Sequence, residues 1–299
     1  MGVWMRLGFI GLGAMGKPMA KRLVAASHNL HVFDVVESAV EELENHGAHG
    51  CSSPFEVARE AEITFLSLPN SAIVAGVVTG EKGVLAGADE GHIIIDLSSV
   101  DPESTRRLAA KAAEKSIDYM DAPVSGGVSG AEAGSLAIML GAKETSVDKV
   151  LPVLAHLGKR ISHVGNVGAG DAVKIVNNLL LGANMAALAE ALVLGRKLGL
   201  EAGVMHDVIG SSSGKSYALD AKMENFIMEG DFNPGFAVDL QHKDLGLAVD
   251  AAREIKMPLP MTSQAIQLFE MARAKGYGGE DVSSVIKIWE DLMEIRVRK

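Results

Sequence analysis

LGFIGLGAMGKPMAKRLVAASHNLHVFD, residues 7–34, is the stretch on which the fold turns. A short apolar run, Leu7 to Ile10, reads as a buried strand, and Gly11, Gly13 and Gly16 follow it in G-x-G-x-x-G spacing. An amphipathic segment then reads as a helix, and a second apolar run, Leu30 to Phe33, ends on the acid Asp34. Each part suits a dinucleotide. Gly11 allows the tight turn out of the strand, Gly13 has no Cβ to block a pyrophosphate, and Gly16 lets the helix pack close to the sheet. The loop Gly11-Leu12-Gly13-Ala14-Met15-Gly16 thereby presents free backbone N–H groups at a helix N-terminus to the anionic phosphates. Asp34 can accept hydrogen bonds from both ribose hydroxyls and would repel a 2′-phosphate, so the expected cofactor is NAD rather than NADP.

Working outward, strand and helix patterns alternate up to about His163. Candidate strands are Leu7–Ile10, Leu30–Phe33, Ile63–Ser67, Ile93–Asp96, Asp118–Asp121 and Ala137–Leu140. Helical segments between them include Pro18–Ala26, Glu37–Asn45, Pro54–Glu60, Ile73–Val78 and Pro102–Lys115. This alternation predicts a parallel sheet covered by helices on both faces. Beyond about Gly170 the strand signals stop. A helix-period pattern runs from Asp171 to Gly195, followed by helical segments Val204–Gly210, Ala218–Met228, Leu240–Ile255 and Met261–Ala274. The expected architecture is an α/β Rossmann-type doubly wound sheet (1–165) followed by an all-α C-terminal domain (166–299), joined by a long interdomain helix. Ligands are expected near the carboxyl ends of the strands.

The 299 residues are 48% hydrophobic and 22% charged, as in an ordinary globular protein. A formal net charge of −10 leaves no basic stripe for nucleic acid. The basic tail RVRK, Arg296 to Lys299, reads as a solvated end. Cys51 is the only cysteine, which excludes an internal disulfide and points to a reducing, cytoplasmic compartment. The opening Met1-Gly2 lacks the Ser or Thr of a myristoylation signal, since position 6 is Arg6. Val176 to Gly195 approaches membrane-span length, but Asn177, Asn178, Asn184 and Glu190 interrupt it, so it reads as a buried helix and no membrane partner is expected. His46, His49 and Cys51 lie close together in HGAHGCSS, in loose spacing with no fourth ligand, at what reads as a turn into the third strand. No metal is expected there.

Two further motifs carry chemistry. In GAGDAVKIVNNLLLG (168–182), Lys174 and Asn178 are four apart and project from one face of an otherwise apolar helix. A lysine in such surroundings is costly unless paired or functional, and burial there can bring its pKa toward the range an acid/base catalyst needs. A lysine snorkelling from a helix start fits the same spacing. In DAPVSGG (121–127), Ser125 offers a hydroxyl while Gly126 and Gly127 expose backbone N–H groups, a nest suited to a carboxylate. An ordinary turn has the same composition. Lys215, beside Tyr217 in SSGKSY, could meet a second carboxylate, or could be a solvated loop lysine.

Together, GFIGLGAMGKPMA, LPN (68–70), DLSSVDP (96–102), DAPVSGG, GAGDAVKIVNN and HKDLGLA (242–248) resemble the β-hydroxyacid dehydrogenases over nearly the whole chain. The resemblance implies an NAD-dependent oxidoreductase that interconverts a small β-hydroxy carboxylate and its semialdehyde, without a metal. It implies Lys174 as general acid/base, Asn178 orienting substrate and lysine, and Ser125, Gly126 and Gly127 holding the substrate carboxylate. Leu68, Pro69 and Asn70 would line the cofactor cleft, Ser99 would approach the nicotinamide ribose, and Lys243 would close over the cofactor. The implied assembly is a homodimer or homotetramer. VKIVNNLLLGANMAALAEALVLG, DLQHKDLGLA and MPLPMT resemble the branch acting on 2-(hydroxymethyl)glutarate, with tartronate semialdehyde and 3-hydroxyisobutyrate as alternatives. A non-catalytic NAD-binding module would keep the glycine loop but has no use for Lys174, Asn178 and the nest together. Imine reducers on the same scaffold tend to replace the lysine.

Overall fold

In the computed structural model, which describes residues 4–299, nine strands form one sheet. The Met1-Gly2 opening lies outside the described residues. The strands are β1 (Arg6–Ile10), β2 (Asn29–Phe33), β3 (His49–Gly50), β4 (Ile63–Leu66), β5 (Ile93–Asp96), β6 (Asp118–Asp121), β7 (Val124–Ser125), β8 (Leu136–Gly141) and β9 (Gly158–Gly165). Their order is β3-β2-β1-β4-β5-β6-β8-β7, with β9 paired to β8. β1 therefore lies between β2 and β4, and the crossovers leave it in opposite directions. That is the switch point at whose carboxyl end doubly wound sheets bind ligands.

The apolar runs form central strands because both faces are covered: every residue of β4 and β5 is buried. On one face Phe9 stacks on Phe65 at 5.9 Å, in a cluster with Met19, Leu23 and Val32. Ile10, Leu66, Ile94 and Val74 build the cluster on the other face. Side-chain caps set the helix starts. Ser53 accepts from Glu56 N, and Asp101 accepts from Glu103 N and Ser104 N; a proline follows each cap.

The all-parallel expectation holds from β3 through β6 and fails beyond. β8 runs antiparallel to both β6 and β7, and β9 returns parallel to β8. Three strands carry no readable sequence period. β3 and β7 are two residues long, and β9 is an edge strand whose Lys159, Arg160, Ser162 and His163 face solvent. The stretch read as a turn into the third strand thus contains β3.

The chain divides into two compact units, one ending at Lys174 and the other spanning Ile175–Lys299. The helix Ala169–Lys197 begins in the first unit and continues into the second. The second unit is helical apart from turns. Val238–Glu254 and Pro260–Ala274 pack with the long helix around Met185, Leu192, Leu245 and Phe269. Leu219–Ile227, expected as an α-helix, is π-helical. Its Lys222 is buried against Asp281 at 2.7 Å and over the Phe226 ring at 4.3 Å.

Two expectations are corrected in this unit. The RVRK tail is anchored rather than solvated. Arg298 makes two hydrogen bonds to the fully buried Glu290 carboxylate at 2.7 and 3.1 Å, and Val297 N–H adds one at 2.8 Å. A buried carboxylate needs such partners, and Arg298 supplies the fork. The long helix is buried on one side only: Val173, Val176, Leu180 and Leu194 are exposed. Among the described residues it is the one helix long and apolar enough to cross a membrane. The share of its most apolar window buried inside the protein is 44%, as in a core helix with one open face.

Candidate active site

The glycine loop has the geometry a dinucleotide needs. Gly11 sits at φ +94°, and a Cβ there would meet the Ser67 carbonyl oxygen at 2.2 Å, so only glycine makes this turn. A Cβ on Gly13 would meet nothing within 4 Å, so the loop faces open space at the point of expected phosphate approach. On Gly16 it would stand 1.9 Å from the Gly11 carbonyl oxygen and 3.1 Å from the Phe9 ring. Gly16 thus closes the loop on itself as well as on the sheet. The helix Gly16–Ala25 has no side-chain cap and no acid in its first turn, which leaves its N–H groups to an anion.

Asp34, just past β2, accepts Leu12 N–H at 2.6 Å on Oδ2 and Val36 N–H at 2.8 Å on Oδ1. The carboxylate is thereby held against the loop, and each oxygen keeps a lone pair for a ribose hydroxyl. Leu68 N–H donates to Ser98 Oγ at 2.9 Å. Asn70 caps the helix Ser71–Thr79 through Ile73 N–H, so its oxygen holds the backbone while Pro69 and Asn70 stay exposed. Ser99 is half-buried beside Ser98. These residues and the glycine loop fit NAD.

Lys174 is buried, with 7% of its surface exposed, and its Nζ donates to the Val124 carbonyl at 2.9 Å. It is therefore not a snorkelling side chain. Val124 belongs to β7 and immediately precedes Ser125, Gly126 and Gly127; the two glycines have φ of +133° and +65°. The structure brings Lys174 and this turn together within the first unit. Asp96, Asp121 and Asp171 are buried near one another in the same unit. Burial, together with the neighbouring carboxylates, raises the Asp171 carboxyl well above its ordinary value. Asp121 is raised chiefly by burial, against hydrogen bonds from Gly168 and Asp171 N–H that favour its charge. Tyr119 donates to Asp96 at 2.8 Å, and burial beside that carboxylate raises its phenol well above normal.

In the second unit Asn178 is 2% exposed and donates through Nδ2 to Asp244 Oδ2. Lys243 Nζ lies 3.1 Å from Asp244 Oδ1, and Gln241 Nε2 donates to the Asn178 carbonyl at 2.8 Å. Asp244 and Gln241 were missed at the level of sequence. Their signal was present: Gln241, Asp244, Leu245 and Ala248 follow i, i+3, i+4, i+7 spacing, which puts two polar residues on a buried stripe. Lys215 pairs with Asp220 at 3.3 Å, both about half exposed, and Tyr217 is exposed.

The cysteine neighbourhood offers no comparable chemistry. His46 bonds the Glu42 carbonyl, while Cys51 Sγ lies 3.9 Å from His31 rather than near His46. Burial, then Glu56, pushes the thiol up to about 11. Among the described residues no group of three or more His, Cys, Asp or Glu could hold a metal ion.

Comparison with known proteins adds to this geometry. Residues 6–165 match the family described as the NAD binding domain of 6-phosphogluconate dehydrogenase. Residues 168–289 match the family described as NAD-binding of NADP-dependent 3-hydroxyisobutyrate dehydrogenase. Over 292 residues the chain is 57% identical to 2-(hydroxymethyl)glutarate dehydrogenase of Eubacterium barkeri, covering 98% of this chain and 97% of that one. It is 39% identical over 291 residues to 3-hydroxyisobutyrate dehydrogenase of Pseudomonas aeruginosa, covering 95% and 98%. The structure of Mycobacterium tuberculosis 3-hydroxyisobutyrate dehydrogenase with L-serine matches with a TM-score of 0.90 at 35% identity, over 96% and 99% of the two chains.

Proposed function

The chain belongs to the NAD-dependent β-hydroxyacid dehydrogenases, and we propose that Lys174 is its general acid/base and 2-(hydroxymethyl)glutarate, or a similar acid, its substrate. The observation that carries the proposal is the buried Lys174 amine on the Val124 carbonyl, one residue from the Ser125-Gly126-Gly127 turn. That turn would bind the substrate carboxylate through the Ser125 hydroxyl and the two glycine N–H groups. The bound cofactor would supply the hydride acceptor, as NAD+, in oxidation and the hydride donor, as NADH, in reduction. In oxidation the Lys174 amine takes the proton of the β-hydroxyl as its C–H hydride leaves. In reduction the ammonium returns that proton to the carbonyl oxygen. Asn178 would orient the reacting oxygen, with its own amide held by Asp244. Lys215 is the candidate for the second carboxylate of a dicarboxylate, for which it would leave Asp220.

In this reading 1–165 binds NAD, through the glycine loop, Asp34, Leu68, Pro69, Asn70 and Ser99. The helical region 166–299 supplies Asn178, Lys215 and Lys243 and the surface for self-association. The exposed apolar face of the long helix, Val176, Leu180 and Leu194 among others, favours a homodimer or homotetramer. A monomeric mass by light scattering at working concentration would exclude this. A single, poorly acidic cysteine is compatible with a cytoplasmic location, which cell fractionation checks.

Nicotinamide absorbance across a panel of β-hydroxy acids and their aldehydes tests the substrate. The expected result is that 2-(hydroxymethyl)glutarate has the highest kcat/KM. A higher value for glycerate or 3-hydroxyisobutyrate would replace it with the smaller acid. Silence across the panel with NAD still bound would move weight to an unusual substrate or to a non-catalytic module.

A further inference from the structure

Asp121 closes β6, and its side chain is fully buried. Its Oδ1 accepts Gly168 N–H at 2.6 Å and its Oδ2 accepts Asp171 N–H at 2.9 Å. These donors lie at the start of the helix that carries Lys174: Gly168 just precedes it and Asp171 is about one turn before the lysine. The surroundings are cut to the carboxylate. A Cβ on Gly141 would stand 2.4 Å from Oδ1, and one on Gly170 would stand 2.8 Å from Oδ2. Asp171, whose N–H is held here, is tied from the other side by Thr105 Oγ1 at 2.7 Å. Three residues after Asp121, the Val124 carbonyl receives the Lys174 amine. The exit of β6 therefore grips the helix twice, at its opening turn and at the tip of its lysine. The same segment continues directly into the Ser125-Gly126-Gly127 turn.

We propose that Asp121 is a positioning residue: it docks the first turn of the helix so that Lys174 Nζ is held in register with the Ser125-Gly126-Gly127 turn. The proposal rests on Lys174 being the acid/base of the reading above. A carboxylate is required because two N–H donors converge and each needs an acceptor oxygen. Asparagine supplies one oxygen and turns a donor toward the second N–H. A hydrophobic residue supplies none. Burying a carboxylate is costly, and its carboxyl is raised by that burial, so simple packing does not account for an acid at this position.

The test is Asp121→Asn and Asp121→Ala in the full chain, with kcat, KM, NAD affinity and the pH dependence of kcat measured per NAD-binding site. An ångström-scale displacement of the lysine is expected to lower kcat about thirtyfold or more in Asp121→Asn, and further in Asp121→Ala. KM and NAD affinity should stay within about threefold, since substrate carboxylate and cofactor are bound by other groups. The limb of the pH profile that reports Lys174 should move, because its environment has changed. A kcat per NAD site within about twofold of wild type would overturn the proposal. So would a loss shared equally by kcat and NAD affinity with an unmoved pH profile, which marks a purely structural role. If Asp121→Asn does not fold, Gly141→Ala displaces the carboxylate without removing it and is judged by the same readouts. Lys174→Ala run in parallel separates the two failures. If that variant stays active, the acid/base assignment falls; if it is inactive while Asp121→Asn is normal, only the positioning role falls.

Discussion

Lys174→Ala is expected to lower kcat by about three orders of magnitude in both directions while NAD still binds. The amine is buried, is held at 2.9 Å by the Val124 carbonyl, and lies in the same unit as the turn proposed to take the substrate carboxylate. Removing it leaves the alcohol without a base and the alkoxide without an acid. Because the interaction belongs to the transition state, kcat should fall much further than KM rises. Lys174→Arg should not restore activity, since a guanidinium stays protonated and does not accept the hydroxyl proton. Steady-state kinetics on folded protein, with NAD binding followed by fluorescence, measures both effects. A Lys174→Ala enzyme within about tenfold of wild-type kcat would remove the lysine from the mechanism.

The second large effect concerns the cofactor. kcat/KM with NAD should exceed that with NADP by about two orders of magnitude. Asp34 is not free to swing away from a 2′-phosphate, since Leu12 N–H and Val36 N–H hold its two oxygens. Bringing a phosphate dianion beside a fixed carboxylate costs several kcal/mol in like-charge repulsion, on the order of a hundredfold or more. The relationship of residues 168–289 to an NADP-dependent 3-hydroxyisobutyrate dehydrogenase family does not alter this, because the discriminating acid lies in the first unit. Asp34→Asn keeps one acceptor and removes the charge, so it should narrow the ratio by about tenfold or more. Equal efficiency with both cofactors in the wild type would show that Asp34 does not select between them.

How much of this was legible depends on how far apart the cooperating residues are. The strand–glycine–helix–strand–acid pattern lies within residues 7–34; β1 is buried from Leu7 to Ile10 and β2 buries Leu30 and Val32, so apolar residues mark both strands. β9 escaped because it is exposed at Lys159, Arg160, Ser162 and His163, so no apolar run marks it. The RVRK tail reads as solvated by composition alone. Only the buried Glu290 carboxylate turns Arg298 into an anchor. The π-helical Leu219–Ile227 has an apolar pattern that α-helical spacing fits equally well over so few residues.

By itself, then, the sequence determined the dinucleotide fold and an NAD-type cofactor, and it marked Asp34 and Lys174 as the residues to test for cofactor choice and proton transfer, because these signals lie in residue types within short stretches. Tertiary structure alone decided what holds that lysine and its helix. Val124 is 50 residues from Lys174, Asp121 is 50 from Asp171, and Asp244 is 66 from Asn178. A buried polar group must find a partner, but the need does not say which partner. The choice is made only when strand exits and helix faces are brought together, and no local period records it.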